Sequence, residues 1–220
     1  MKALTNLLAL SCLLFSTALA PAQNTKAVSG TPTQPGVPAT RLRPMGASTN
    51  STPRPALLPA GTVAPDFLTK DLAGKEVRLA DWKDKVVVLD FWATWCPPCK
   101  ASLPHTQEIA KRYKDQGVVV LAACTSDTRA KFEEFVKANQ EKYADIVFTC
   151  EPNERGSANF ADRASSKLYH VSGIPTQFII GRDGKIVSSI VGFSQGDNKL
   201  ETALAQAGIK TAATGNAQTK

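Results

Sequence analysis

Residues 86–99 read Val-Val-Val-Leu-Asp-Phe-Trp-Ala-Thr-Trp-Cys-Pro-Pro-Cys. The apolar, mostly β-branched start has the length of a strand buried on both faces, and the apolar spacing that resumes after Pro97 is helical to about Lys114, with Pro104 inside it. The stretch therefore predicts a core strand feeding a helix whose first turn carries two cysteines at i and i+3. At that spacing the side chains face the same way. Pro97 and Pro98 fit a first helical turn because the N–H they lack has no partner inside the helix.

Three chemistries are open to such a pair. A zinc site needs four ligands, typically with a second close pair, but the other cysteines near the domain, Cys124 and Cys150, are far apart in sequence, and the only histidines are His105 and His170. A structural disulfide more usually joins distant segments. A redox pair suits the position: the positive end of the helix dipole lowers the pKa of Cys96, which becomes the attacking thiol. Cys99, a turn deeper, resolves the mixed disulfide.

Outward from this stretch, Val63 to Phe67 opens the folded sequence, and Asp71 to Lys75 reads as the turn of a small antiparallel hairpin. Val118–Ala123 is a second buried strand, Asp127 a helix cap for a segment running to about Tyr143, and Asp145–Thr149 a short third strand. A helix from about Ala158 to Tyr169 is expected. Thr176–Ile180 and Ile186–Val191 flank the hairpin signal Gly-Arg-Asp-Gly at 181–184, and a last helix from Asp197 to Ala207 stops at Gly208. Strands alternating with helices imply an α/β sheet with parallel pairing.

The chain has 220 residues and a formal charge of +7. Its basic residues are scattered, with no dense run and no nucleic-acid motif, so nucleic acid is not an expected partner. Residues 1–22 have the Lys2 start, apolar run and small-residue end of a secretory signal peptide, with cleavage favoured after Ala22. A lipid attached at Cys12 and an uncleaved anchor are the rivals. Residues 23–60, rich in Pro, Thr, Ser, Gly and Ala, read as a disordered tether; 61–210 is the domain and 211–220 a flexible tail. Export places the cysteines where disulfides persist.

The stretch 90–99, together with Gly173-Ile174-Pro175-Thr176 before a strand, resembles thioredoxin. The Ala-Pro-Asp-Phe start, the front hairpin and the central insertion are similar to its exported TlpA/ResA-like branch, over about Thr62 to Gly208. The resemblance implies a thioredoxin-like fold, a mixed central sheet flanked by helices, with an N-terminal hairpin and a TlpA-type insertion. It implies a cis Pro175 against the cysteine pair, and Trp95, Pro97, Pro98, Ile174 and Thr176 on the substrate side. It also gives Asp90, a costly group to bury when ionised, the handling of the proton of Cys99. Where the family's extracytoplasmic members often carry Glu, this chain has Ser102.

The insertion suggests a Cys124–Cys150 structural disulfide between neighbouring strand ends; two buried thiols are the alternative. Implied by the resemblance is an exported thiol:disulfide oxidoreductase without cofactor or metal, reducing disulfide-bearing exported proteins, apocytochrome c among them, with electrons from a membrane thiol reductase of the DsbD/CcdA type. A disulfide-forming oxidase and a copper-delivery module on the same fold are the alternatives. Peroxide turnover is not expected, since Leu89 and Ala93 stand where a peroxiredoxin needs Pro and Thr or Ser.

Overall fold

The computed structural model of the protein describes residues 55–211. The signal peptide, nearly all of the tether and the tail beyond Thr211 lie outside the described residues. Seven strands form one sheet: β1 (Leu68–Lys70), β2 (Glu76–Arg78), β3 (Val86–Trp92), β4 (Val118–Cys124), β5 (Ile146–Cys150), β6 (Thr176–Ile180) and β7 (Ile186–Val191). Their spatial order is β2-β1-β5-β4-β3-β6-β7. β3, β4 and β5 run parallel, while β6 and β7 on one side and the β1–β2 hairpin on the other are antiparallel.

All seven residues of β3 are buried, because the strand lies between β4 and β6 with both of its faces covered. Such a strand has no polar face, which is why its sequence does not alternate. Its side chains still point to opposite sides by turns. Val86, Val88 and Trp92 join a core with Cys99, Leu103, Ile109 and Tyr113 of helix α1 (Pro97–Tyr113), Phe132 and Val136 of α2 (Arg129–Asn139) and Leu200 and Leu204 of α4 (Lys199–Gln206). Val87, Leu89 and Phe91 meet Phe67, Tyr169 and Phe178 in the core of the other face. There Phe91 and Tyr169 have ring centroids 5.2 Å apart.

The sheet is the mixed α/β sheet expected from the sequence, but several elements differ in detail. α2 is capped by Thr128, whose hydroxyl accepts from the Lys131 amide, and it ends at Asn139; Asp127 is engaged elsewhere. The helix expected over Ala158 to Tyr169 is instead a 3-10 turn (Phe160–Asp162) and one short helix, α3 (Ala164–Lys167), because this region packs through single residues such as Ser165 and Tyr169 rather than along an apolar stripe. The packed chain also reaches further back than residue 61: Leu57 and Leu58, in the stretch read as tether, lie against the second core. The hairpin at 181–184 forms with Gly184 at φ +75°, a conformation that favours glycine. No helix among the described residues is long and apolar enough to cross a membrane.

Candidate active site

Four residues separate the end of β3 from the start of α1, and they place Cys96 at the helix N-terminus. Its backbone is extended, and its sulfur accepts the Cys99 amide at 3.2 Å, capping the helix that Pro97 and Pro98 begin. An N–H directed at this sulfur, at the positive end of a 17-residue helix, stabilises a thiolate there. Cys96 and Cys99 are joined by a disulfide with Cα atoms 5.3 Å apart. The two sulfurs are not equivalent: Cys96 borders a groove of about 350 Å³ whose walls include Trp95, Pro97, Pro98, Ile174 and Arg163, and Cys99 does not.

Across the groove the Ile174–Pro175 peptide is cis, and the Ile174 carbonyl oxygen is 3.8 Å from Cys96 Sγ. The Pro175 carbonyl is taken by the Gly192 amide. Ile174 makes no backbone–backbone hydrogen bond among the described residues, so its N–H and C=O are available to an extended chain laid beside Cys96. Thr176 departs from the expectation. It is buried and its hydroxyl donates to the Gly173 carbonyl at 2.8 Å, so it braces the turn and does not line the groove.

Asp90 is completely buried and, by strand alternation, on the same side of β3 as Val88 and Trp92, the side that α1 and Cys99 cover. Gln177, its register partner on β6, donates Nε2–H to Oδ2 at 3.1 Å. Oδ1 has no hydrogen-bond partner among the described residues. Burial pushes the carboxyl up from 3.8 to about 6, with the Gln177 bond acting against it. Ser102 is also buried, its hydroxyl donating to the Cys99 carbonyl.

A polar network not visible in the sequence holds the cysteine turn to the loop after β4. Asp127 Oδ2 accepts the Thr94 amide at 2.9 Å and its hydroxyl at 2.6 Å, and Trp95 Nε1 donates to the Ser126 carbonyl. Behind the groove, buried Glu151 accepts the amide and hydroxyl of Ser165, each at 2.8 Å, and the Ser165 hydroxyl meets that of Thr125. Asp127 read as a helix cap in the sequence because Asp before a helical segment usually is one; its tertiary partner is 33 residues away.

Cys124 and Cys150 are register partners on β4 and β5 and both are buried; Cys124 Sγ donates to Asp127 Oδ2 at 4.0 Å and Cys150 Sγ to the Glu151 carbonyl at 3.6 Å. They are free thiols, not the expected disulfide. The neighbouring Cys150 thiol and burial push the Cys124 thiol well above its ordinary range. The histidines face other groups: His105 Nε2 pairs with Glu201 at 2.9 Å, and His170 Nδ1 with the Ala56 carbonyl.

Residues 59–204 match the family model described as Redoxin. The chain belongs to the Redoxin family. This redoxin is 35% identical over 132 residues to the thiol-disulfide oxidoreductase ResA of Bacillus cereus, covering 60% of its own length and 69% of that protein. To ResA of Bacillus subtilis it is 33% identical, covering 60% and 67%. A solved structure from Chlorobium tepidum, provisionally assigned as the thiol:disulfide interchange protein DsbE, superposes with a TM-score of 0.57 at 34% identity over 68% of this chain and 98% of that one. With the paired cysteines at the start of α1, these relationships make this redoxin a thioredoxin-fold thiol:disulfide oxidoreductase.

Proposed function

We propose that this redoxin reduces disulfides of exported proteins on the extracytoplasmic side of the membrane. The observation that carries the reading is the asymmetry of the pair: Cys96 opens on the groove opposite the Ile174 carbonyl, while Cys99 is buried behind it. In the reduced enzyme, the Cys96 thiolate attacks one sulfur of a partner's disulfide, forming a mixed disulfide and releasing the other sulfur as a thiolate. Cys99 loses its proton and attacks Cys96 Sγ, expelling the partner's second sulfur. Two electrons pass to the partner, and the Cys96–Cys99 disulfide remains.

Asp90 receives the proton of Cys99 in this scheme. It lies on the α1 side of β3, its Oδ1 has no partner among the described residues, and its pKa of about 6 suits proton exchange near neutrality. With Ser102 where relatives often have Glu, Asp90 acts alone. The reducing direction is supported by the likeness of the Ile174–Pro175 pair to that of reducing thioredoxins, and export by the signal-like residues 1–22. Apocytochrome c is a candidate partner and a membrane thiol reductase of the DsbD/CcdA type the candidate electron donor.

Equilibration of the Cys96–Cys99 pair in defined thiol buffers tests the direction. A potential near about −270 mV is expected; one near about −120 mV makes the protein an oxidase.

A further inference from the structure

Two arginines lie beside the entrance to Cys96, and neither forms an ion pair among the described residues. Arg155 is exposed, with its guanidinium carbon 5.2 Å from the centroid of the Trp95 ring. Its loop is pinned by its own amide, which donates to the Asp127 carbonyl at 2.9 Å. Its side chain makes no hydrogen bond or ion pair among the described residues. Arg163 lines the same groove as Cys96 and Ile174. Its guanidinium carbon is 3.6 Å from the Phe160 ring centroid, Nη1 donates to the Phe160 carbonyl, and Nε is buried with no partner among the described residues. A guanidinium carries five N–H donors in a fork that matches a carboxylate, so most of this capacity is unspent beside the attacking sulfur.

Four carboxylates near the groove each have a partner among the described residues. Both oxygens of Glu151 take hydrogen bonds from Ser165. Asp127 holds Thr94 and the Thr128 amide, Glu154 accepts from the Arg129 amide, and Asp162 is paired with Lys167. Buried Glu151 attracts Arg163 but is not within ion-pair distance of it. The cations beside the groove are therefore exposed Arg155 and half-buried Arg163, with exposed Lys100 one residue after Cys99.

We infer that the groove selects partner segments in which the disulfide-bonded cysteine is flanked by acidic residues, whose carboxylates Arg155 and Arg163 receive. The occupant is an extended segment of a disulfide-bearing protein, laid between Trp95 and the Ile174 loop. Residues in an extended chain advance about 3.3 Å each, so carboxylates within about three residues of the cysteine stay beside the groove. The inference rests on Cys96 being the attacking sulfur. It adds the chemistry of the partner to that reading.

The test uses the full chain, with its active pair reduced, and three cystine peptides identical except for Glu, Gln or Lys on both sides of the cysteine. Each rate is normalised to that of the same peptide with a small neutral dithiol, because an acidic flank slows attack by any thiolate. The Glu peptide is expected to react about tenfold faster than the Lys peptide at low salt, with the ratio shrinking as salt rises. R155E, at an exposed position, is expected to bring that ratio to one or below, and R163Q to reduce it. Equal normalised rates for the three peptides, faster reaction of the Lys peptide, or a ratio unchanged in both variants overturns the inference and leaves the oxidoreductase reading standing. Failure to reduce any peptide, or a small neutral disulfide such as hydroxyethyl disulfide, overturns the oxidoreductase reading itself.

Discussion

Asp127 Oδ2 accepts both the backbone amide and the hydroxyl of Thr94, at 2.9 and 2.6 Å, and so ties the loop after β4 to the turn that presents Cys96. Asp127→Ala removes the acceptor that the amide and hydroxyl of half-buried Thr94 share. A loss of about 2–3 kcal/mol is expected, read as a lower denaturation midpoint with an unchanged denaturant slope. Asp127→Asn, which keeps one acceptor oxygen, is expected to lose less. Equal stability of Asp127→Ala and the natural protein would contradict the tie.

The Asp90 carboxyl gives stability a pH dependence of defined sign. Its folded pKa of about 6 lies above its ordinary 3.8, so between these values the folded state binds more protons than the unfolded one. This contribution to stability falls as pH rises through the window from about 4 to about 6 and is fully lost above it, by about 3 kcal/mol. Asp90→Asn is expected to be more stable than the natural protein at pH 8, by about that amount, and equal to it near pH 4. Thermal unfolding followed across that range checks it.

Gln177 extends the same test. Its hydrogen bond holds the Asp90 carboxyl below the value that burial alone would set. Gln177→Leu is therefore expected to raise the Asp90 pKa further and move the pH midpoint of the stability loss upward. Titration of the Asp90 carboxyl by NMR reads that shift directly, and a midpoint that stays in place would remove Gln177 from the pair.

Cys124 and Cys150 are free thiols side by side. Unfolding the oxidised protein in an alkylating agent without reductant is expected to label both, as found by peptide mass, while Cys96 and Cys99 stay unlabelled. In the folded protein both are expected to react slowly, because they are buried and Cys124 is held in its thiol form. Absence of label on both after unfolding would show them bonded to each other.

Glu151 supports the back of the groove through Ser165. Glu151→Ala strands the buried Ser165 amide and leaves its hydroxyl with Thr125 alone, and a loss of about 1–3 kcal/mol is expected. The local readout is faster amide exchange at Ser165, with β3 unaffected.

Much of the molecule follows from local patterns. The β-branched run of β3, the Pro-Pro turn that starts α1 and the Gly-Arg-Asp-Gly hairpin were legible because each element is specified by neighbours within a few residues. β3, β6 and β7 have the bounds that their sequences predict. The expected helix over Ala158 to Tyr169 failed because helical spacing of a few apolar residues does not show whether a surface exists to receive them.

By itself, the sequence determined the cysteine pair, its place at a helix start and the order of strands and helices, since these depend on spacing, proline geometry and hydrophobic period. Only the tertiary structure decided what surrounds the pair. Asp127 reaches Thr94, Glu151 reaches Ser165, and Gln177 meets Asp90 across residues 14 to 87 apart in the chain. Strand register and loop packing bring those groups together, and no local pattern records them.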